Sequence, residues 1–452
     1  MKTEMKKLNA LKPNEIFWKI AEEAELIDVF ASASDPNDSA SIGAIFNSAP
    51  EIYNKWMTTY MNKISIQKAE NKLWSNDLAK RFLKGALGVG ESIEDTLFNL
   101  IQSVPYGMNT DGAKNYKDYT QKKPEHAFYT INMDRQYIVT KYEREFKKAF
   151  LSWEAFGSAL TAFDNALATS INADFFLLIR YALASAYLKN NMRGINLPSS
   201  YTSKKFLETE RNLFDGMAYL SNNYTKTEIP NFAENPVFIM DYKLKNRISV
   251  NEYSTAFGPE YEKLVGSILE LNAFDFSAWE LKRVNQLING DGTLANNYDD
   301  ATAVFTASDL AKLKRVKGIV LDTEFVQYYQ NDVYADAERD PYGRKTNYIY
   351  GYQELWCVSP FACAVAILEA PTATDIAIMS VNGGTLSGTT VTKSATADAT
   401  VRLTNVCGDC TVTGDGTYDA ESGILTITAT SAGTVAVADE NGHQFTVTVA
   451  IG

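Results

Sequence analysis

The sequence predicts an α+β body followed by a small all-β domain. Three observations carry that reading: an uninterrupted helical pattern of nearly forty residues in the first half, alternating strand patterns between residues 318 and 368, and an abrupt change of composition at Ala370-Pro371.

In chain order, residues 14 to 30 place Ile16, Phe17, Ile20, Ala24, Ile27 and Phe30 at helical spacing behind Pro13, a residue suited to a first helical turn. One short amphipathic helix is expected there. From about Asn62 to Tyr129 the periodicity fades: a strand-like Lys63-Ile-Ser-Ile-Gln67 leads into a segment broken by Gly85, Gly88, Gly90, Pro105, Gly107, Gly112 and Pro124. This is long for a simple connection and reads as an extended excursion from the body.

Counting from Trp153, apolar or small residues fall at Phe156, Leu160, Phe163, Leu167, Ile171, Phe175, Leu178, Ala182 and Ala186, with no proline before Pro198. One continuous helix over about 153–190 follows. Its steps average about 3.7 residues and its charges are few, which argues against a strict heptad seam. Residues 200 to 315 then mix helical stretches (Lys204 to Leu220, Glu260 to Leu271, Ser308 to Arg315) with a strand-like Val237-Phe-Ile-Met240 and loops such as Asn289-Gly-Asp-Gly-Thr293. Strands dominate afterwards, at Gly318 to Asp322, Phe325 to Tyr329, Asn347 to Glu354 and Ala362 to Leu368, with Tyr348, Tyr350 and Tyr352 sharing one face.

Beyond Pro371 the chain holds 18 Thr and 10 Gly, two aromatics (Tyr418 and Phe445), and 2 basic against 8 acidic residues, half of the whole net charge of -12. Short alternating runs at Val401 to Thr404, Ile424 to Ala429, Thr434 to Ala438 and Phe445 to Val449, separated by glycine-containing turns, predict a small β-sandwich.

Composition narrows function. With 43 Lys and Arg against 55 Asp and Glu, the chain lacks the basic excess that tight nucleic-acid or anionic-membrane binding requires. His126 and His443 are the only histidines, against 25 Tyr, 23 Phe and 6 Trp, so histidine-based catalysis and multi-histidine zinc sites have almost no material while contact surfaces have much. The lysines near Met1 precede no apolar run of the secretory type, and Leu355 to Leu368 is too short and too interrupted to cross a bilayer, so no membrane association is expected.

Individual motifs add no chemistry. Gly85-Ala-Leu-Gly-Val-Gly-Glu-Ser92 has phosphate-loop spacing, but Glu91 stands where a lysine is needed. Cys407-Gly-Asp-Cys410 is a lone pair, read as small residues at a strand turn, with a local disulfide as the alternative. Asp299-Asp300 and the run Asp336 to Asp340 read as solvated turns, and His126 as structural or surface. The expectation is a non-enzyme with no catalytic residues, cofactor or metal.

The order of these elements resembles that of tailed-phage major capsid proteins, which share the Hong Kong 97-type fold. Glu91-Ser-Ile-Glu-Asp95, Lys148-Ala-Phe-Leu-Ser-Trp-Glu-Ala-Phe156, Asp340-Pro-Tyr-Gly-Arg344 and the strands from Tyr348 to Ile367 are similar to the major head proteins of phi-29-type podoviruses, which also carry a C-terminal bacterial immunoglobulin-like (group 2) domain. The resemblance implies an N-terminal arm and helix at 1–61, an extended loop (E-loop) at 62–130, a peripheral (P) domain at 131–195 containing the spine helix, and an axial (A) domain at 196–335. Closing P-domain strands at 336–369 and the immunoglobulin-like domain at 370–452 complete it. It further implies a structural subunit, assembled in the host cytoplasm into pentamers and hexamers of an icosahedral or prolate virion head. The implied partners are itself, scaffolding protein, portal or connector, head fibres, and packaged double-stranded DNA by weak contact.

The excursion would lie across a neighbour through Trp74, Phe82, Phe98 and Tyr106, with Trp153, Phe156, Leu160 and Leu167 as further assembly residues on the spine. The alternative from another class is a bacterial surface or adhesion protein carrying the same immunoglobulin-like module.

Overall fold

The computed structural model describes residues 13–33, 35, 38–49, 51–60, 81–88, 90–101, 124–142, 153–227, 229–246, 268–271, 274, 276–288, 303–340, 342, 345–371 and 374–452, with backbone alone at 13, 47, 141–142, 153–165 and 268–271. Four helices occupy its N-terminal part: α1 (Pro13–Glu23), α2 (Ile27–Ala31), α3 (Ser39–Ser48) and α4 (51–60). The single helix expected to reach residue 30 is therefore broken. Glu25 takes the left-handed conformation (φ 55°), and the Leu26 and Glu25 amides turn back to Ala21 O (2.8 Å) and Glu22 O (3.1 Å), a Schellman ending. The helices cohere through aromatic packing, with Phe17 stacked on Trp56 at 5.2 Å and Phe30 and Phe46 edge-on to Phe17. The described residues of these helices thus pack into one aromatic layer.

The body continues with β1 (Leu83–Ala86), β2 (Ile93–Leu97), β3 (Glu125–Tyr129), β4 (Met133–Tyr142), α5 (Trp153–Leu188), β5 (Arg193–Asn196), α6 (Ser203–Met217), β6 (Pro236–Asp241) and β7 (Ile268–Leu271). After these come α7 (Ala278–Leu287), α8 (Ala307–Leu313), β8 (Val316–Asp322), β9 (Val326–Asp340), β10 (Lys345–Val358) and β11 (Ala364–Leu368). Three sheets result: β1-β9-β10-β4, β5-β11-β8-β6-β7, and the separate ribbon β2-β3.

In the first sheet the long antiparallel pair β9–β10 carries β4 on one edge and β1, parallel, on the other. Tyr348, Tyr350 and Tyr352 do share a face, buried against the N-terminal helices and against Leu167 and Ile171 of α5. β9 is far longer than the expected Phe325 to Tyr329 and contains Asp336 to Asp340, which are strand residues and not a turn; Asp336 and Glu338 point to the solvated face. Strand β4 had no sequence expectation because its alternation, Met133, Arg135 and Tyr137 inward, includes a buried arginine.

The second sheet is covered on both sides. Val320, Val365, Ile367, Phe238 and Met240 meet α6, while Ile319, Leu321, Ala366 and Leu368 meet α5. Ile268 to Leu271, expected as the end of a helix, is β7 instead, paired in parallel with β6. A short apolar run fits either period, and the open edge of β6 decides it. Residues 260–267 of that expected helix lie outside the described residues.

Helix α5, at 36 residues, is about 54 Å long and ends at Asn190 (φ 53°), with the Asn191 amide donating to Ala186 O at 2.8 Å. Its second half is not a one-sided stripe: Leu177, Leu178, Ile179 and Arg180 are buried consecutively, because both sheets, α1 and α7 surround it. Ala166–Leu188 is by length and composition apolar enough to cross a bilayer, but here it is a core helix that holds Asp174 and Arg180 in buried ion pairs.

The last part of the chain forms β12 (Ala377–Asn382), β13 (Gly384–Ser387), β14 (Thr390–Lys393), β15 (Ala399–Thr404), β16 (Thr411–Thr413), β17 (Gly416–Asp419), β18 (Ile424–Ile427), β19 (Gly433–Ala438) and β20 (Gln444–Ile451). They make two sheets, β12-β15-β18-β17 and β13-β14-β20-β19-β16, closed on a core of Val391, Val401, Leu403, Leu425, Val435 and Val447.

Candidate assembly site

The motifs considered for chemistry resolve into structure. The Glu91 carboxylate accepts the Gly88 amide hydrogen bond at 2.6 Å, so an anion of the chain itself fills part of the cradle that a phosphate would need. His126 Nδ1 lies 2.6 Å from Glu94 Oε1 and 3.0 Å from Thr96 Oγ1 across the exposed β2–β3 ribbon. Cys407 is buried and Cys410 half-buried, both as free thiols, and burial pushes each up to about 12, well away from the reactive range. Among the described residues no group of three or more His, Cys, Asp or Glu is placed to hold a metal ion. Asp299-Asp300 lies outside them.

What the structure offers instead is exposed apolar surface on the ribbon. Phe98 (66 % exposed), Leu100 (60 %) and Ile101 (83 %) follow β2, and Phe128 (70 %) stands in β3 opposite Glu94. An isolated two-stranded ribbon is marginal in water. This one is fastened at its base, where Ser359 Oγ donates to Asp95 Oδ2 at 2.5 Å and Tyr129 OH donates to Val358 O at 3.3 Å. Burying such side chains against another surface is worth roughly 1.5–3 kcal/mol each before the cost of ordering them.

Beneath the ribbon the body is made stiff by buried charge. Asp174 of α5 accepts two hydrogen bonds from Arg283 of α7, from Nε at 2.7 Å and Nη2 at 2.8 Å, and one from Tyr137 OH of β4 at 2.7 Å. Arg135 donates to Glu354, and that carboxylate also accepts from Tyr328 OH and Trp356 Nε1, each at 3.0 Å. Burial alone would lower the Arg135 pKa, but the Glu354 charge, followed by Tyr137 and Asp174, holds it above its ordinary value. A second pair, Arg180 with Glu280, lies under the Phe276 ring, 4.3 Å from the guanidinium carbon. Helix α5, sheet and α7 are therefore held in one geometry by directional contacts.

Of the eight residues expected to serve assembly, Phe98 is exposed on the ribbon and Phe82 is not available. Phe82 is fully buried in its own subunit's core beside Leu177 and Leu183, because β1 joins the main sheet directly after it. Leu167 is likewise buried at home, among the N-terminal helices. Trp74 and Tyr106 lie outside the described residues, as do the side chains of Trp153, Phe156 and Leu160. Leu100, Ile101 and Phe128 were not anticipated. Their signal was the apolar Phe98-Asn-Leu-Ile101 in a segment with no periodic partner.

Comparison with known proteins gives this surface a context. Residues 21–368 match the family described as Phi29-like phage major capsid protein. The major capsid protein of Bacillus phage B103 is 20% identical over 416 residues, covering 88% of this chain and 83% of that protein. That of Bacillus phage PZA is 21% identical over 351 residues, covering 75% and 69%. Among solved structures, the capsid of Staphylococcus phage Andhra aligns with a TM-score of 0.45 and 13% identity, over 63% of this chain and 81% of that one.

Proposed function

The chain belongs to the Phi29-like phage major capsid protein family, and on that premise we propose that it closes the head by assembling into pentamers and hexamers of a Hong Kong 97-type subunit around double-stranded DNA. It is a structural component of the phage head shell and is located in the virion capsid. In this reading 1–61 is the N-terminal region, 62–130 the extended loop, 131–195 with 336–369 the P-domain around the spine helix α5, 196–335 the A-domain and 370–452 an immunoglobulin-like domain. The chain works without catalysis.

The observation that supports a reach between subunits is the β2–β3 ribbon, whose four large apolar groups are solvent-exposed within a single chain. A neighbouring copy supplies the surface that buries them. Many such contacts acting together hold a shell although each is modest. Scaffolding protein, portal and head fibres are the other partners this role calls for. Contact with packaged DNA stays weak, in keeping with 43 Lys and Arg against 55 Asp and Glu over the whole chain.

Coexpression of the Phe98→Ser/Phe128→Ser variant with the cognate scaffolding protein tests the reading by electron microscopy. The variant should be soluble, with the circular dichroism of the wild type, and form no closed shells. Shells in normal yield would remove the ribbon from assembly.

A further inference from the structure

The composition break at Pro371 invites the picture of a loosely appended domain, but the contacts across it are those of a built interface. β5, the edge of the second sheet, is paired with β11 on one side. On its other side Ile195 bridges Val406 in parallel, the Asn196 amide donates to Val406 O at 2.9 Å, and the Asn405 amide donates to Gly194 O at 2.7 Å. The Gly194 amide in turn donates to Thr404 Oγ1 at 2.7 Å. Residues 404–406 thus continue the body's sheet by one short strand. A side chain at 194 would have to displace the Asn405 and Leu368 side chains, since a Cβ there would stand 2.1 Å from Asn405 Oδ1 and 2.8 Å from Leu368 Cδ1.

Two buried arginines cross the junction in opposite directions. Arg193 of β5 donates to the main-chain oxygens of Ala420 (2.8 Å) and Glu421 in the C-terminal unit. It passes over Gly423, where φ is +69° and a Cβ would meet the guanidinium at 2.8 Å. Arg402 of β15 reaches back to Thr225 O (2.6 Å) and Asn222 O in the body. A third, Arg315, staples the crossing strand of chain at both ends, binding Glu369 O (2.9 Å), the Asp375 carboxylate and Asn196 Oδ1 (2.7 Å). Tyr187, near the end of α5, donates to Asn405 Oδ1 at 3.4 Å.

We infer that residues 370–452 are a permanently docked brace, clasped by the reciprocal Arg193 and Arg402 contacts, which holds β5 and the C-terminal end of α5 so that body and brace open as one cooperative element. Separating them breaks the four guanidinium-to-carbonyl hydrogen bonds made across the junction, together with those of the Gly194, Asn196 and Asn405 amides. This holds whether or not the shell reading does.

Hydrogen exchange on the full-length, unassembled chain tests it through the Asn196 and Asn405 amides, which donate across the junction. In the wild type both should exchange within about tenfold of the β8 core, as members of one cooperative unit. Arg193→Ala and Arg402→Ala should each accelerate them by roughly a hundredfold while β8 and β19 stay protected. Wild-type junction amides that exchange like exposed loops would overturn the proposal without any variant. A folded Arg402→Ala protein with unchanged junction protection would overturn the role of the arginines.

Discussion

The buried carboxylate of Asp174 offers the most direct measure of how α5 is held. Its side chain is 1% exposed and receives three donors, two from Arg283 and one from Tyr137, with Arg135 Nη1 a further 4.0 Å away. Asp174→Asn keeps the shape but removes the charge and turns an N–H toward one of those donors. Breaking a buried pair costs about 3–5 kcal/mol. Arg283 is 34% exposed and can recover water, which places the expected loss near the lower end, about 3 kcal/mol. At about 2.1 cal/mol/K of unfolding entropy per residue, body and brace opening together over 452 residues give about 1 °C per kcal/mol, so the transition should fall by roughly 3 °C. Near-ultraviolet circular dichroism of the unassembled subunit would follow it. A double-mutant cycle with Arg283→Ala should return a coupling of about 1–3 kcal/mol. A loss below about 1 kcal/mol, the range of exposed ion pairs, or zero coupling would refute the claim that this network stiffens the subunit.

Two further outcomes follow from single side chains. Glu210 sits in the inner stripe of α6 with Phe206, Leu213 and Met217, and both of its oxygens are buried without a hydrogen-bond partner. Burial, then Asp215, raises its pKa from 4.5 to about 8, against an opposing pull from Arg211. Between those values the folded chain keeps a proton that the unfolded chain releases, so this group makes stability fall as pH rises through the window, by at most about 1.4 kcal/mol per pH unit. Glu210→Gln should flatten the melting-temperature profile and gain on the wild type at pH 8 relative to pH 5; parallel profiles would show that the carboxyl is solvated. Leu167→Asp puts a charge among Ile171, Tyr350 and the N-terminal helices, at a cost of roughly 3–5 kcal/mol, and should abolish soluble expression. A soluble, assembling variant would move Leu167 off the buried face.

Much of the fold was legible because it rests on local periodicity. The helix from Trp153, the tyrosine face of β10, the strands at 316–322 and 364–368 and the strand-rich end of the chain all show in the spacing of apolar residues. Failures came where neighbours outvoted local pattern. β4 carries an inward Arg135 that Glu354, Tyr137 and Asp174 make tolerable, and β7 is a strand because β6 offers it an edge. Of the candidate surface, Phe98 was legible as an apolar residue with no periodic partner; Phe82 looked the same and is core, because sequence spacing does not say which strand β1 will join.

The amino-acid sequence by itself determined the α+β class, the long central helix, the scarcity of histidine and the compositional seam at Pro371, since each follows from which residues are present and how they are spaced. Tertiary structure alone decided which apolar residues stay exposed in the single chain and that hydrogen bonds cross the seam. Hydrogen bonds and ion pairs join residues more than two hundred positions apart, such as Arg193 with the Glu421 main-chain oxygen or Arg135 with the Glu354 carboxylate, and no local pattern encodes those distances.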